Sequence, residues 1–303
     1  MSILTTEDFI NVGEWMESIA GFDNANRPTQ TLKNKVLASV FLEPSTRTRL
    51  SFEAAMCRLG GKVITVADGK MSSAMKGETL YDTLMTVGQY ADGIVVRNPE
   101  ALGAPSRWAN LPCPIINAGD GANHHPTQAL LDAYTIWKHK GTLEYLKICV
   151  VGDLENSRAI RSFVDLMGRN ASNVIFSFNS LEDKQLPKRF GASAQIHHLG
   201  NQEEFDHHLP EFDVLYLNRV QTERHLDRVD GLATLLFAGF AFGSFRLNLS
   251  HMSSLKRDAL VMNPGPRLQE LPPDFDNDPR VVFFEQARNG VAARMAVLST
   301  VMQ

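Results

Sequence analysis

Glu43-Pro44-Ser45-Thr46-Arg47-Thr48-Arg49 places three hydroxyls and two guanidiniums within five consecutive positions, 45 to 49. The segment follows an apolar run, Val36 to Leu42, that reads as a buried strand. It opens a stretch, Thr46 to Leu59, in which Leu50, Ala54 and Cys57 recur at helical spacing before Gly60-Gly61 ends it. A helix N-terminus offers unpaired backbone N–H groups and the positive end of the helix dipole. Arginine adds a bidentate fork matched to phosphate. Phosphate binding is the chemistry these residues suit. The plainer reading is a Ser/Thr N-cap beside solvated arginines. The sequence has no Gly-x-x-x-x-Gly-Lys, so this is not a nucleoside triphosphatase loop.

A second candidate runs from Asn117 to Gln128, a glycine-rich polar loop after a strand, with Pro126 suited to a helix first turn. His125 and Gln128 are three apart and can face one ligand. An imidazole there can polarise a carbonyl or exchange a proton near neutral pH. A capping loop with incidental histidines is the alternative. Arg97, Arg158, Arg219 and Arg267 each follow a strand end. Four such residues suggest a cationic cleft for anions. Pro264-Gly265-Pro266 makes a rigid turn that can fix backbone carbonyls toward a ligand. His197-His198 and His207-His208 sit at i, i+1, which do not share a helix face, and His139, His225 and His251 have no partner apparent in the sequence. No His-Glu-x-x-His appears, and neither a metal nor a cofactor is expected.

The elements that must position these residues alternate. Lys62 to Val66, Gly93 to Val96 and Pro114 to Asn117 read as strands. Glu78 to Tyr90, a segment near Leu102 to Trp108, and the stretch after Pro126 read as helices. The pattern restarts with strands at Leu146 to Val151, Val174 to Phe178, Asp213 to Leu217 and Ala259 to Met262. Helices are expected at Ser157 to Met167 and Gly290 to Met302. Such alternation implies βαβ units and parallel sheets. The fold class is α/β: two doubly wound parallel-sheet lobes with an interdomain cleft. A polar seam at Lys138 to Thr142 separates a first domain, residues 1–137, from a second, residues 138–288. Val150-Val151-Gly152-Asp153-Leu154 has one glycine where a dinucleotide fingerprint needs three, which disfavours nicotinamide binding.

The chain of 303 residues carries 30 Lys+Arg against 34 Asp+Glu, a net charge of −4 that argues against polyanion and anionic-membrane partners. Its three cysteines are too few for a disulfide framework or a four-ligand zinc site. With no signal-like start and no long apolar window, the expectation is a cytoplasmic protein without a membrane span.

Taken together, Phe41-Leu-Glu-Pro-Ser-Thr-Arg-Thr-Arg-Leu-Ser-Phe52, Met75-Lys-Gly-Glu-Thr79, His125-Pro-Thr-Gln128, Arg219-Val-Gln221 and Pro264-Gly-Pro266 resemble, in order, the motifs of the aspartate/ornithine carbamoyltransferase family. The resemblance runs from about Val36 to Arg294. It implies transfer of the carbamoyl group of carbamoyl phosphate to an amino acid, without a metal. Ser45, Thr46, Arg47 and Thr48 would hold the phosphate, and Arg97, His125 and Thr48 the carbamoyl oxygen. Gln128 and the carbonyls around Pro264 and Gly265 would accept from the carbamoyl NH2. Ser72 and Lys76 would be lent to a neighbouring copy, which implies a homotrimer with shared sites and admits separate regulatory chains. Arg158, Arg219, Gln221 and Lys76 would bind L-aspartate. The last helix, about 289–303, would return to the first lobe. Glu43 and Arg224 would pair between lobes, and Arg294 matches an arginine of the closing helix.

The turn at Asn263-Pro264-Gly265-Pro266 and Arg219-Val-Gln221 follow the aspartate pattern, not the ornithine one. Two guanidiniums suit a dicarboxylate, each charged hydrogen bond contributing ~1.5–3 kcal/mol. Asn263, Asn218, His124 and the apolar Leu235 to Phe242 depart from the family pattern, all but His124 on the acceptor side. Another amine or amino acid in a specialised pathway is therefore the alternative acceptor, and a non-catalytic homologue the third reading.

Overall fold

The computed structural model describes residues 1–25, 28–67, 77–152, 157–170, 175–178, 195–199, 202–219 and 246–303. The chain divides into two compact units, Met1–Tyr134 with Ala287–Gln303, and Thr135–Gln286.

In the first unit, β1 (Val36–Phe41), β2 (Lys62–Val66), β3 (Gly93–Asn98) and β4 (Ile115–Asp120) form a parallel sheet in the order β2-β1-β3-β4. β1, β3 and β4 are rich in Val and Ile and are buried almost throughout, as parallel strands covered on both faces must be. β2, at the edge, is half-exposed. Helices α1 (Val12–Ala25), α2 (Thr46–Arg58), α3 (Leu80–Val87) and the first part of α4 (Pro126–Lys140), which runs on into the second unit, accompany this sheet. Ala38, Val40, Ile94, Val96 and Ile115 pack with Leu84 and Trp108 in one core cluster. Gly60 ends α2 at φ +82°, where a side chain would be strained.

In the second unit, β5 (Lys147–Val151), β6 (Ile175–Phe178), β7 (Gln195–His198), β8 (Val214–Leu217) and β9 (Leu260–Met262) are also parallel, in the order β7-β6-β5-β8-β9. Its helices are α5 (Arg158–Asn170), α6 (Gln202–His208) and α7 (Leu249–Ser254), while α8 (Phe283–Met302) begins here and ends in the first unit. Phe163 of α5 stacks on Tyr216 of β8 at 4.5 Å. Cys149, Val151, Leu215, Leu217 and Val261 share a core with Phe205 and Phe212.

Several elements differ from expectation, three of them near the candidate site residues or the closing helix. The segment before Trp108 forms only a 3-10 turn, Pro105–Trp108, after Gly103 at φ +80°. The strand expected to stop at Asn117 continues to Asp120, because the Asn117 and Asp120 side chains bond to each other and to the backbone around them. The closing helix starts at Phe283, not Gly290. Gly290 is interior, and a Cβ there would come within 2.5 Å of a terminal nitrogen of Arg294. No described helix is long and apolar enough to cross a membrane.

Candidate active site

In each sheet the strand order reverses once, and ligands of doubly wound folds bind beyond the carboxyl ends of the strands at that point. In the first unit the reversal lies between β1 and β3. β1 leads into Ser45–Arg49, and β3 carries Arg97 near its end. In the second unit it lies between β5 and β8. There β5 precedes Ser157 and Arg158, and β8 precedes Asn218 and Arg219. Topology thus brings the sequence candidates to two defined positions.

At the first, Ser45 occupies the N-cap of α2 with extended backbone, and its hydroxyl makes no capping bond. That disfavours the plain capping reading and leaves hydroxyl and first-turn N–H groups directed at a ligand position. Thr46 and Arg47 are exposed there, and Thr48 is buried. Although Arg47 is exposed by area, the protein around it draws its pKa below the ordinary arginine value through partial desolvation. Thr48 Oγ1 lies 3.4 Å from Nε2 of the buried His125. The two sequence signals therefore meet at one place.

Asp120 builds the loop that delivers His125. Nearly inaccessible, it accepts from the Leu102 backbone N–H (2.8 Å), Asn117 Nδ2 (2.8 Å), Asn123 Nδ2 (3.1 Å) and the His124 N–H (3.0 Å). Sequence reasoning missed it. Its signal was an acidic residue flanked by Gly119 and Gly121 before a helix-opening proline.

Arg97 donates through Nε to Glu43 Oε1 at 2.8 Å, with NH2 at 2.5 Å from the same oxygen. The partner expected for Glu43, Arg224, lies outside the described residues, as do Ser72, Lys76, Gln221 and the 235–242 segment. On α4, Gln128 Nε2 donates to Oδ1 of the fully buried Asp132 at 3.0 Å. Arg294 is buried with its guanidinium 5.0 Å from the Phe52 ring centre and NH1 donating to the Gly290 carbonyl at 3.0 Å. Burial pushes its pKa down to about 10, against the opposing pull of Asp132, with Arg97 lowering it further.

In the second unit, Arg158 is buried in the first turn of α5 and Arg219 is half-buried. Asn218 Nδ2 donates to Ser157 Oγ at 2.6 Å. Asn263 shapes the proline turn: its Oδ1 accepts from the Gly265 N–H (2.7 Å), its Nδ2 donates to Glu270 Oε1 (2.9 Å), and its backbone N–H donates to Gln286 Oε1 (3.1 Å). Two of the departures from the family pattern, Asn218 and Asn263, thus sit in hydrogen-bonded polar networks. Arg267 forms a two-nitrogen pair with Asp276 and lies over the Phe283 ring at 4.8 Å. The isolated histidines also gain partners: His139 sits 3.0 Å from Glu285 and His251 3.4 Å from Asp206.

Chemically, the first unit offers hydroxyls, helix N–H groups and Arg47 for a phosphate, beside donors at Thr48, Arg97 and His125 for a developing oxyanion. The second offers two arginines suited to carboxylates. The family described as "Aspartate/ornithine carbamoyltransferase, carbamoyl-P binding domain" matches residues 2–138. Its companion "Asp/Orn binding domain" matches 144–301. The aspartate carbamoyltransferase catalytic subunit of Bacteroides fragilis is 40% identical over 284 residues, covering 92% of this chain and 88% of that protein. That of Methanocaldococcus jannaschii is 37% identical over 305 residues, covering 100% and 96%. The crystal structure of aspartate transcarbamoylase from Trypanosoma cruzi in complex with carbamoyl aspartate and phosphate superposes with a TM-score of 0.89 at 32% identity, covering 99% of this chain and 95% of that one.

Proposed function

From the premise that the chain belongs to the aspartate/ornithine carbamoyltransferase family, we infer that it transfers the carbamoyl group of carbamoyl phosphate to the amino group of L-aspartate. The products are N-carbamoyl-L-aspartate and phosphate, in pyrimidine biosynthesis. The observation that carries the reading is the Thr48–His125 contact beside the uncapped start of α2. It sets carbonyl-directed donors next to a phosphate position.

The amine nitrogen attacks the carbamoyl carbon, and a C–N bond forms. The carbonyl oxygen gains negative charge against Thr48, Arg97 and His125, fixed donors of the kind that stabilise such a charge most. The tetrahedral centre then collapses. The C–O bond to phosphate breaks, phosphate leaves on Ser45, Thr46 and Arg47, and it takes the proton lost by the amine. Glu43 holds the Arg97 fork in plane. Gln128 and the carbonyls around Pro264 and Gly265 take the carbamoyl NH2. Arg158, Arg219 and Gln221 receive the aspartate carboxylates, with Lys76 and Ser72 supplied by a neighbouring copy of a homotrimer. The free thiols of Cys57, Cys113 and Cys149 accord with a cytoplasmic setting.

The test is an acceptor panel with purified protein and carbamoyl phosphate, scored by phosphate release and product mass. Carbamoylation of aspartate above all other amines is expected. Turnover of a different amine with aspartate ignored overturns the acceptor, and no turnover of any amine overturns the activity.

A further inference from the structure

We propose that Asp132 is a positioning residue that fixes the polarity of the Gln128 amide and so selects a donor ending in NH2 over one ending in CH3. This rests on the function proposed above, in which Gln128 meets the carbamoyl group.

The two residues lie one turn apart on α4. Gln128 is almost wholly buried and Asp132 completely so. A glutamine amide presents an oxygen and an NH2 of nearly equal size, and nothing in its own shape decides which faces the ligand. A carboxylate decides it. Ionised, Asp132 only accepts, so Gln128 can meet it only through Nε2, as the 3.0 Å bond records. The amide oxygen is then the atom turned to the other side, where it can accept from an N–H.

This works only while Asp132 stays ionised, and a carboxylate buried alone would take up a proton. Arg294 is the answering charge, buried like Asp132 and electrostatically coupled to it. Its own place is prepared. NH1 bonds to the Gly290 carbonyl, the guanidinium stacks on Phe52 of α2, and position 290 has no Cβ that would collide with it. Arg294, the cation coupled to Asp132, thus rests on Phe52 of the helix whose first turn forms the phosphate position.

Carbamoyl phosphate and acetyl phosphate differ in NH2 against CH3. A fixed acceptor pairs with the first and is left unpaired by the second, which is how a polar site rejects a near-isostere. Calorimetric titration of the purified full chain with each compound measures the ratio of their dissociation constants. The unaltered chain should favour carbamoyl phosphate. Asp132→Asn lets the Gln128 amide turn either way, and the ratio should shrink about tenfold while acetyl phosphate affinity holds. An unchanged ratio overturns the proposal. A variant that removes one buried charge can fail to fold, so Gln128→Glu in the Asp132→Asn background carries the same comparison. It keeps one carboxylate near Arg294 and restores an acceptor-only group, and preference for carbamoyl phosphate should return. A double variant that does not discriminate overturns the proposal as well. If the unaltered chain binds neither phosphate, the functional reading itself fails and takes the inference with it.

Discussion

The side-chain amide of Asn218 donates to Ser157 Oγ across 2.6 Å and ties the end of β8 to the first turn of α5. Ser157 Oγ in turn accepts from the Ile160 N–H at 3.3 Å, the geometry of an N-cap. Each member of the pair precedes an arginine assigned to the acceptor, Arg219 and Arg158. Under the proposed function, the bond sets the spacing of two cations that would receive a dicarboxylate. Asn218→Ala should raise KM for aspartate about fivefold or more, the worth of one buried hydrogen bond. KM for carbamoyl phosphate should hold. Steady-state kinetics varying each substrate separates the two, and a parallel rise in both would assign the pair to stability alone.

Arg47 bears on the phosphate. Arg47→Ala should lower kcat/KM for carbamoyl phosphate at least ~100-fold, since charged hydrogen bonds contribute ~1.5–3 kcal/mol each and the guanidinium can make two. Inhibition by inorganic phosphate should weaken in step. Unchanged phosphate inhibition would remove Arg47 from the site.

Gly152 closes β5 at φ +135°, and a Cβ there would meet the Asn218 carbonyl oxygen at 2.3 Å. Gly152→Ala should cost roughly 3 kcal/mol or more, from backbone strain and a clash with backbone that cannot yield. Gly21, inside α1 with nothing near its Cβ direction, makes the contrast. Gly21→Ala should stabilise by about 0.5–1 kcal/mol. Thermal unfolding of both variants gives the two signs.

The cysteines differ in reactivity. Cys57 is exposed, Cys113 half-buried and Cys149 buried. Desolvation, with help from Asp92, pushes the Cys113 thiol up to about 11, and burial raises Cys149 further. The thiolate is the reactive form. Alkylation at pH 8 should therefore mark Cys57 first. Labelling of Cys113 should rise about tenfold per pH unit until it levels off near 11, and Cys149 should react only on unfolding. Peptide mass spectrometry of timed samples reads all three.

Much of the candidate site was legible in the sequence because its residues cluster in short runs. Ser45 to Arg49 announces itself by composition, and His125 and Gln128 by spacing. The parallel strands were legible because strands buried on both faces read as near-continuous apolar runs, as Leu37 to Phe41 does. What escaped was whatever depends on distant partners. Asp132 lies at i+4 from Gln128, a spacing open to inspection, but its counter-charge sits on α8 far along the chain. Arg267 shows no partner in the sequence because Asp276 and Phe283 become its neighbours only through the fold. α6 and α7 are short and polar, and their apolar residues, such as Phe205 and Met252, gain meaning from the sheet they cover.

The return of α8 to the first unit has a consequence for biosynthesis. A ribosome releases residues 1–134 early, but Arg294, Gly290 and Met302, whose side chain packs where Gly93 leaves room, follow only after the whole of 135–286. The unit whose sequence begins first is the one whose sequence finishes last. During translation the second unit can fold as soon as its own residues have emerged, while the first waits with Phe52 and Asp132 lacking their partner. A chain cut short late in synthesis would keep the second unit's sequence entire and lose the buried cation that packs on Phe52.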